Sequence, residues 1–474
     1  MLSNSLPERG GRVSEPEKLE RGLGLLEATS LNMTFMVGIG PFIVIPFIIR
    51  AMGGPQCLFA WVAGALLALL DGCIWAELGA AMPQAGGSYV FLREAYGANR
   101  WGRLMSFLFI WQTLFQAPLS ISSGALGFAD YSAYLTVKVP GLQPWLQAHA
   151  AQANYNRIVA LLVITLVVLL LYRRITAIGK ISTALWVIVV GTILWLIVGG
   201  ATHFNAARVF TYPPGAWSFS WIFFAGLGHA SVQTVYSYLG YYNVCHLGGE
   251  MKNPERNIPR AIFISIFGIA LLYFAMQTSI LSVVPWQEAQ NSPFVASLFV
   301  ERTFGSAGAT LATALILVIA FGSIFSATLG YSRVPYAAAL DGNFFSVFAR
   351  VHPTKRFPHV SLLALGATTI VFCMFFSLFA VIRGILAMRC LIQFIAQAVG
   401  LVILHRRWAA DRLPFKMWLY PVPVVLAILG WAAIFVSTGR RPMLASLAAM
   451  VAGILVYLGR ARWLGQWPFE EAAG

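Results

Sequence analysis

Apolar segments long enough to cross a lipid bilayer recur along the whole of this 474-residue chain. A bilayer core needs roughly 18 to 20 apolar residues per helix, and open irregular backbone cannot face lipid. Hydrophobic residues make up 59% of the sequence and charged residues only 10%, against about a quarter charged in soluble domains. The pattern predicts an all-α polytopic membrane protein with about twelve spans, near residues 29–51, 55–81, 103–134, 156–172, 175–200, 218–247, 259–284, 307–338, 360–378, 380–404, 417–437 and 442–459.

Basic residues are divided unevenly between the loops that these spans would create. The formal net charge is +15. With loops assigned alternately to the two sides of a membrane, 23 Lys and Arg residues fall on the side of both termini and 8 on the other. Cytosolic loops carry such an excess, so the sequence predicts a multi-pass protein of the cell membrane with both termini cytosolic. The charge therefore requires no nucleic-acid partner.

The sequence carries no familiar motif of an enzyme or a metal site. None of the five cysteines lies in a CxxC pair, and there is neither a phosphate-binding loop nor a GxSxG elbow. We therefore expect a protein that is not an enzyme and that binds no cofactor and no metal.

The first span is interrupted in its middle by Gly38-Ile39-Gly40-Pro41. Glycine lacks a β-carbon and proline lacks an amide hydrogen, so a helix that reaches Val37 should lose consecutive backbone hydrogen bonds there. At membrane depth such a break must lie within protein or line a cavity. It is either a ligand site or a kink that serves helix packing, and this segment alone does not decide between the two.

A second interruption, Ser237-Tyr238-Leu239-Gly240, lies in the sixth span, five spans after the first. Interruptions at corresponding positions of two halves are typical of an inverted repeat whose binding site is at the midplane. The sequence thus predicts that spans one to five pair with spans six to ten.

Two motifs resemble those of the amino acid-polyamine-organocation (APC) transporter superfamily. The first lies between Ala76 and Gly97 and includes Gly86-Gly87-Ser88-Tyr89. The second, GEMKNPERNIPRA at residues 249–261, is similar to the cytosolic loop after the sixth helix, in particular in the L-type amino-acid branch. The resemblance covers nearly the whole chain. It implies a five-plus-five inverted-repeat fold with discontinuous first and sixth helices and two peripheral helices.

The resemblance also implies a substrate site at the two breaks. Gly38-Ile39-Gly40 matches the carboxylate-binding loop of the superfamily, and Tyr236 matches an aromatic gate. The N-terminus of a half-helix offers free N–H groups to a carboxylate, and the C-terminus of another offers carbonyls to an ammonium group. The residues predicted to bind substrate are Val37, Gly38, Ile39, Gly40, Gln116, Tyr236, Ser237, Tyr238, Leu239 and Gly240.

Charged residues within the predicted spans are costly and are therefore candidates for proton coupling or cation binding. Asp71 lies midway through the second span and Asp130 late in the third, and both positions also resemble the polyamine-uptake branch. Leucines precede Asp71 and disfavour its charged form, so Asp71 either exchanges protons, binds a cationic substrate or pairs with Arg389 of the tenth span. The lysine that some sodium-independent members carry on the fifth helix is replaced by Val189, which leaves the coupling ion open.

These features predict a secondary transporter that moves amino acids by alternating access. A polyamine or cationic-compound transporter of the same fold is the alternative, and a transporter-like receptor or channel is less favoured. We divide the chain into a cytosolic arm at 1–25, a ten-helix transport core at 26–404, and two additional helices with a cytosolic C-terminus at 405–474. The expected partners are a small-molecule substrate, either an amino acid or a polyamine, and the lipid bilayer, with proton coupling as one option and no nucleic acid. We expect the protein to be a monomer or a homodimer.

Overall fold

A computed structural model of the chain describes residues 19–138, 152–375, 378–409, 412–463 and 465–466. Within these ranges the regular secondary structure is helical, and β pairing is limited to isolated bridges between Leu23 and Met251 and between Ala85 and Leu247. The all-α prediction is confirmed. Most of the predicted arm at 1–25 lies outside the described residues.

The helices of the first part of the chain are α1 (Leu25–Met36), α2 (Gly40–Ile43), α3 (Ile45–Met52), α4 (Leu58–Ala81), α5 (Ser88–Ala95), α6 (Trp101–Lys138), α7 (Gln152–Leu171), α8 (Ile175–Thr202) and α9 (Ala206–Phe210). Those that follow are α10 (Trp221–Tyr238), α11 (Asn243–His246), α12 (Pro254–Val283), α13 (Trp286–Ala289), α14 (Val295–Tyr331), α15 (Arg333–Leu340), α16 (His359–Phe375), α17 (Leu378–Arg389), α18 (Gln397–Arg407), α19 (Val422–Ser437) and α20 (Arg440–Trp463). A π-helix at Cys390–Ala396 joins α17 to α18, and 3₁₀ turns lie at Pro55–Cys57, Gly248–Glu250 and Ser346–Ala349.

Among the described residues, seven helical segments are long and apolar enough to cross a membrane, or eight if the bent pair Leu25–Ile43 and Ile45–Met52 counts as one span. Three shorter apolar helices, Tyr155–Leu171, His359–Phe375 and Val422–Ser437, match other predicted spans. The predicted sixth span corresponds to α10, which has 18 residues but is not among these segments. The protein is therefore polytopic, while the count of twelve spans and the inverted repeat stay predictions.

The predicted eighth span begins later than the helical segment in the structure. The sequence places it at 307–338, whereas the segment formed by α14 and α15 runs from Val295 to Leu340. Gly305, with φ +75° and ψ −176°, interrupts α14, because glycine adopts positive φ without the steric cost of a β-carbon. The residues before Gly305 therefore form a separate helical arm that hydropathy alone did not reveal.

The two broken spans lie at the centre of the helix packing. Helix α1 contacts α8, α12 and α14, and α10 contacts α3, α4 and α19. Every residue of α1 from Ala28 to Met36 is buried, as expected for a helix enclosed on all sides. By contrast, α20 buries only Ser446, Gly453, Tyr457 and Ala461 of its described side chains. Helix α20 thus lies at the periphery of the fold, whereas α1, which leads into the first break, lies at its centre.

A fully buried ion pair joins the segment after α11 to α15. Arg333 donates from Nε and Nη2 to the two carboxylate oxygens of Glu250 at 2.9 and 2.7 Å, and both side chains are at most 1% exposed. The backbone carbonyl of Glu250 accepts from the amides of Gly22 and Leu23, each at 3.0 Å. We call Gly22, Leu23, Glu250 and Arg333 the Glu250 cluster. It ties the segment before α1 to two other parts of the fold.

Replacing Arg333 by methionine is expected to lower the free energy of unfolding by about 3–5 kcal/mol, because the carboxylate of Glu250 would stay buried without a partner. Adding Glu250→Gln should restore part of that loss. The exposed pair of Arg302 and Glu288, with a distance of 2.5 Å, is the matched control. Removing an exposed pair changes stability by at most about 1 kcal/mol. Equal losses for Arg333→Met and Arg302→Met, measured by unfolding in detergent, would contradict this expectation.

Candidate functional site

The first break separates α1 from α2 at the place that the sequence predicts. Helix α1 ends at Met36, and α2 begins at Gly40 with Pro41 in its first turn, where a missing amide hydrogen costs nothing. The amide of Gly38 donates to the carbonyl of Met36 at 3.1 Å. Among the described residues, the amides of Ile39 and Gly40 find no acceptor. Two free donors thus remain at the start of a half-helix.

The first span contains a further interruption that the sequence analysis missed. At Val44 the chain bends by 61° between Leu25–Ile43 and Ile45–Met52. Pro46 lies in the first turn of α3, and a proline there neither donates to the preceding turn nor fits against its carbonyl. The half-helix that follows the first break is therefore only one turn long before the chain changes direction.

The second break follows α10 and touches the first. Leu239 is extended, with ψ 136°, and Gly240 has φ +131°. A β-carbon on Gly240 would lie 2.9 Å from the amide nitrogen of Met36, so only glycine allows the two breaks to approach this closely. The carbonyls of Tyr238 and Leu239 accept no hydrogen bond from the described residues.

Side chains from other helices hold the two breaks together. Tyr273 of α12 donates its hydroxyl proton to the carbonyls of Met36 at 2.8 Å and Ser237 at 3.2 Å. Asn32 of α1 donates to the carbonyl of Tyr241 at 2.6 Å and accepts from the amide of Val244 at 2.9 Å. Some backbone groups that the breaks leave without helical partners thus form hydrogen bonds with side chains of the protein, as burial in a membrane requires.

Both breaks line a single cavity with about 40 Å³ of free volume. Small-molecule sites are typically about 300–1,000 Å³, so the cavity is contracted in this structure and has to widen before it holds an amino acid. The lining residues are Phe35, Met36, Gly38, Ile39, Gly40, Ser120, Ile121, Gly124, Tyr236, Ser237, Leu239, Ser323, Ile324, Ala327 and Arg389. No Asp or Glu belongs to this lining set.

Six of the ten residues predicted to bind substrate line the cavity: Gly38, Ile39, Gly40, Tyr236, Ser237 and Leu239. Val37 and Gly240 belong to the breaks but do not line the cavity. Tyr238 does not line it either, because its ring packs against Trp61 and Tyr273, with centroid separations of 6.1 and 5.3 Å. The ring of Tyr238 therefore packs between helices, while the predicted role of this residue in binding, through its backbone carbonyl, stays a prediction.

Gln116 is buried behind the lining rather than within it. Its side-chain oxygen, in the orientation that satisfies both groups, accepts from Nε of Arg389 at 2.9 Å. Gln116 thus contacts a residue of the cavity wall instead of contributing to the wall. Its role in binding substrate stays a prediction.

Arg389 is the charged residue of the cavity wall, and its side chain is fully buried. It lies at the end of α17, where the chain continues as a π-helix, a feature frequent at functional sites. Its guanidinium donates to the hydroxyls of Tyr242 and Tyr331 and, at 3.4 Å, to Ser120. No ion pair joins it to Asp71, so the pairing weighed from the sequence does not exist in this structure.

Asp71 is buried next to the second break but outside the cavity. Its carboxylate accepts from the hydroxyl of Tyr241 at 2.5 Å and from the indole nitrogen of Trp431 at 3.1 Å. Tyr241 belongs to the segment between α10 and α11, and its ring contacts that of Tyr242, with centroids 5.1 Å apart. Asp71 therefore connects α4 to the broken sixth span and α19.

Asp130 lies far along α6 and is half-buried. Its carboxylate accepts from the side-chain amide of Asn156 in α7 at 2.5 Å, and it is not part of the cavity lining. The contact joins two helices. Of the two carboxylates predicted to serve in proton coupling or cation binding, only Asp71 contacts a residue of a break.

Several lining residues were not predicted from the sequence. Ser323 of α14 lines the cavity and donates to the carbonyl of Phe35 at 3.0 Å. Ser123 of α6 is not itself a lining residue, but it shares a 2.8 Å hydrogen bond with the hydroxyl of the lining residue Tyr236. Ser120 and Gly124 also face the cavity. A lone serine in an apolar span is ambiguous, because it equally often bonds to its own helix. In the part of the chain that the structure describes, no three His, Cys, Asp or Glu side chains gather as a metal site.

A model of the family described as amino acid permease matches residues 23–458. This chain belongs to the amino acid permease family. The serine/threonine exchanger SteT of Bacillus subtilis is 28% identical over 94% of this chain and 98% of its own length. The human Asc-type amino acid transporter 1 is 27% identical over 93% of this chain and 82% of its own. The branched-chain amino acid permease BcaP of Lactococcus lactis is 24% identical over 85% and 86%.

The permease is accordingly an amino acid transporter and not an enzyme, and it is a multi-pass membrane protein. These relatives support an amino acid as the substrate. The polyamine alternative is not favoured, and a cavity lined by an arginine without any carboxylate also suits a polyamine poorly.

Proposed function

We propose that this permease is a secondary transporter of the cell membrane that binds one α-amino acid between its two helix breaks and moves it by alternating access. The observation that carries the proposal is that residues of both breaks line one cavity. A discontinuous helix pair around a central site is the arrangement that alternating-access transporters use.

The backbone supplies complementary groups for both ends of an α-amino acid. The free amides of Ile39 and Gly40 lie at the N-terminal end of α2, where unpaired hydrogen-bond donors suit a carboxylate. The free carbonyls of Tyr238 and Leu239 lie at the C-terminal end of α10, where acceptors favour an ammonium group. We assign the α-carboxylate to the first set and the α-ammonium to the second.

We further propose that Asp71 takes up and releases the coupling proton. It is buried at the second break, and its recorded partners are the neutral groups of Tyr241 and Trp431. A buried carboxylate without a cation is costly when ionised, and its protonation would alter the hydrogen bond that it receives from Tyr241. A change in the charge of Asp71 would thus alter the contacts of Tyr241 and, through it, the conformation of the second break.

The remaining assignments follow the sequence. The excess of basic residues in alternate loops supports cytosolic termini, and residues 26–404 would form the transport core, with 405–474 outside it.

A panel of ligands with purified protein tests the proposed site. At least one L-α-amino acid should stabilise the protein by about 2.7 kcal/mol at a hundred times its Kd. Its α-carboxamide should not, because it lacks the charge that the amides of Ile39 and Gly40 would bind, and its N-acetyl derivative should not, because it lacks the ammonium group. Stabilisation by polyamines but by no amino acid would overturn the proposal.

Truncation of Tyr236 to alanine is expected to lower transport by about tenfold or more, because it removes an aromatic wall of the cavity. Tyr131 is the matched control: it is buried, bonds to Ser297 at 3.1 Å and does not line the cavity. Tyr273 is unsuitable as a control, since it bonds to both breaks. The measurement is the initial rate of uptake, normalised to the amount of folded protein. Equal losses of uptake for Tyr236→Ala and Tyr131→Ala would mean that Tyr236 contributes only to packing.

A further inference from the structure

The wall of the cavity contains a buried positive charge that the proposed α-amino acid site does not use. Arg389 is fully buried and lines the same cavity as both breaks. The α-carboxylate and α-ammonium are already assigned to backbone groups. The guanidinium is therefore available to the remaining part of the substrate, which is its side chain.

The recorded hydrogen-bond partners of Arg389 are all neutral. Tyr242 accepts from Nη1, and Tyr331 and Ser120 accept from Nη2. With its side-chain amide in the orientation that satisfies both groups, Gln116 also accepts from Nη2 and Nε. A guanidinium has five N–H donors. One proton on Nη1 is thus left without an acceptor among the described residues. The tyrosine and serine hydroxyls orient the guanidinium but cannot neutralise it.

Arg389 forms no ion pair with a carboxylate within the part of the chain that the structure describes. Asp71, which the sequence offers as a partner for Arg389, instead accepts hydrogen bonds from Tyr241 and Trp431. Other buried carboxylates are engaged elsewhere, as Glu250 is with Arg333 and Glu77 with His405. A buried charge without a counter-charge is strongly unfavourable. The counter-charge should therefore arrive with the ligand.

We propose that the preferred substrate is an amino acid whose side chain ends in a carboxylate, and that Arg389 binds that carboxylate. The inference rests on the proposed α-amino acid site and adds the substrate class. Charge-assisted hydrogen bonds from a guanidinium to a carboxylate are among the stronger ones in proteins. The same charge repels lysine, arginine and polyamines, so Arg389 also excludes cationic substrates.

Wild-type protein tests this without any substitution that could impair folding. Glutamate and aspartate should bind at least tenfold more tightly than glutamine and asparagine, which corresponds to about 1.4 kcal/mol. Each pair differs by one charged group at nearly constant shape. Tighter binding of glutamine and asparagine would overturn the inference but leave the proposed amino acid site intact. Binding of none of the amino acids would overturn the proposed site itself.

Variants of Arg389 then assign the preference to this residue. Arg389→Gln should remove the tenfold preference for glutamate over glutamine, and Arg389→Lys should keep part of it because the charge remains. Arg383 of the same helix is exposed, and Arg383→Gln should leave the preference unchanged. Only variants that elute as folded protein are compared. An unchanged preference in folded Arg389→Gln would show that Arg389 is structural.

Discussion

Replacing Gly40 by valine is expected to abolish amino acid uptake in a protein that still folds and inserts. A β-carbon on Gly40 would lie 3.2 Å from Cε1 of Tyr236 and 3.4 Å from Oγ of Ser237. The first β-carbon is thus barely accommodated, and the two methyl groups of valine would occupy the space between the breaks. Gly40 has helical backbone angles in this structure, so the effect comes from lost space rather than from backbone strain.

The matched control for Gly40→Val is Gly191→Val in α8. Gly191 is exposed, and a β-carbon there would meet no heavy atom within 4 Å. Both variants add the same side chain to a span, but only one of them fills the cavity. Uptake in proteoliposomes, normalised to folded protein, should be lost in Gly40→Val and retained in Gly191→Val. A folded Gly40→Val variant with normal uptake would refute the assignment of the first break.

Replacement of Asp71 by asparagine is expected to remove concentrative, pH-dependent uptake while sparing substrate exchange across the membrane. Asparagine keeps the size of the side chain and an acceptor for Tyr241 or Trp431, but it cannot release a proton. Exchange of substrate needs no net proton movement. The two activities are measured separately, as accumulation driven by a proton gradient and as counterflow in vesicles without one.

Asp130→Asn is the control for Asp71→Asn, because Asp130 is half-buried and bonds to Asn156 away from the breaks. It should retain pH-dependent accumulation. Selective loss of binding of cationic substrates in Asp71→Asn would favour the cation-binding alternative. Loss of stability alone would favour a structural role, although not a pair with Arg389. Normal, pH-dependent accumulation in Asp71→Asn would exclude coupling through this residue.

The sequence predicts the class of fold well because the relevant signals are local. Span length and hydropathy are properties of consecutive residues, and Gly38, Gly40 and Pro41 interrupt a helix in any context. The bend at Val44 has an equally local cause in Pro46, but the long apolar run concealed it. The ends of helices, such as the start of α14 before Gly305, are harder to predict from the sequence, because the length of a helix depends on its packing against other helices.

The residues of the candidate site that lie in the two broken helices could be predicted from the sequence, but those that other helices contribute could not. Residues of the two breaks were found because the interruptions mark them. Arg389 was weighed as the partner of a carboxylate, and the structure surrounds it with Tyr242, Tyr331 and Ser120 instead. Which side chains meet across helices depends on rotation and crossing angle, and the π-helix after Arg389 changes that rotation locally. A single sequence contains no local signal for which side chains meet across helices.

The Glu250 cluster limits how the permease can move. Any contact that breaks in each turnover without replacement adds its free energy to the barrier, and about 1.4 kcal/mol slows a step tenfold. Separating a buried ion pair leaves buried charges without partners, at a cost of about 3–5 kcal/mol, and would therefore slow every cycle by two to four orders of magnitude. We expect the segment before α1, the turn after α11 and the start of α15 to travel together as one rigid piece, with the flexing confined to the breaks on either side of it.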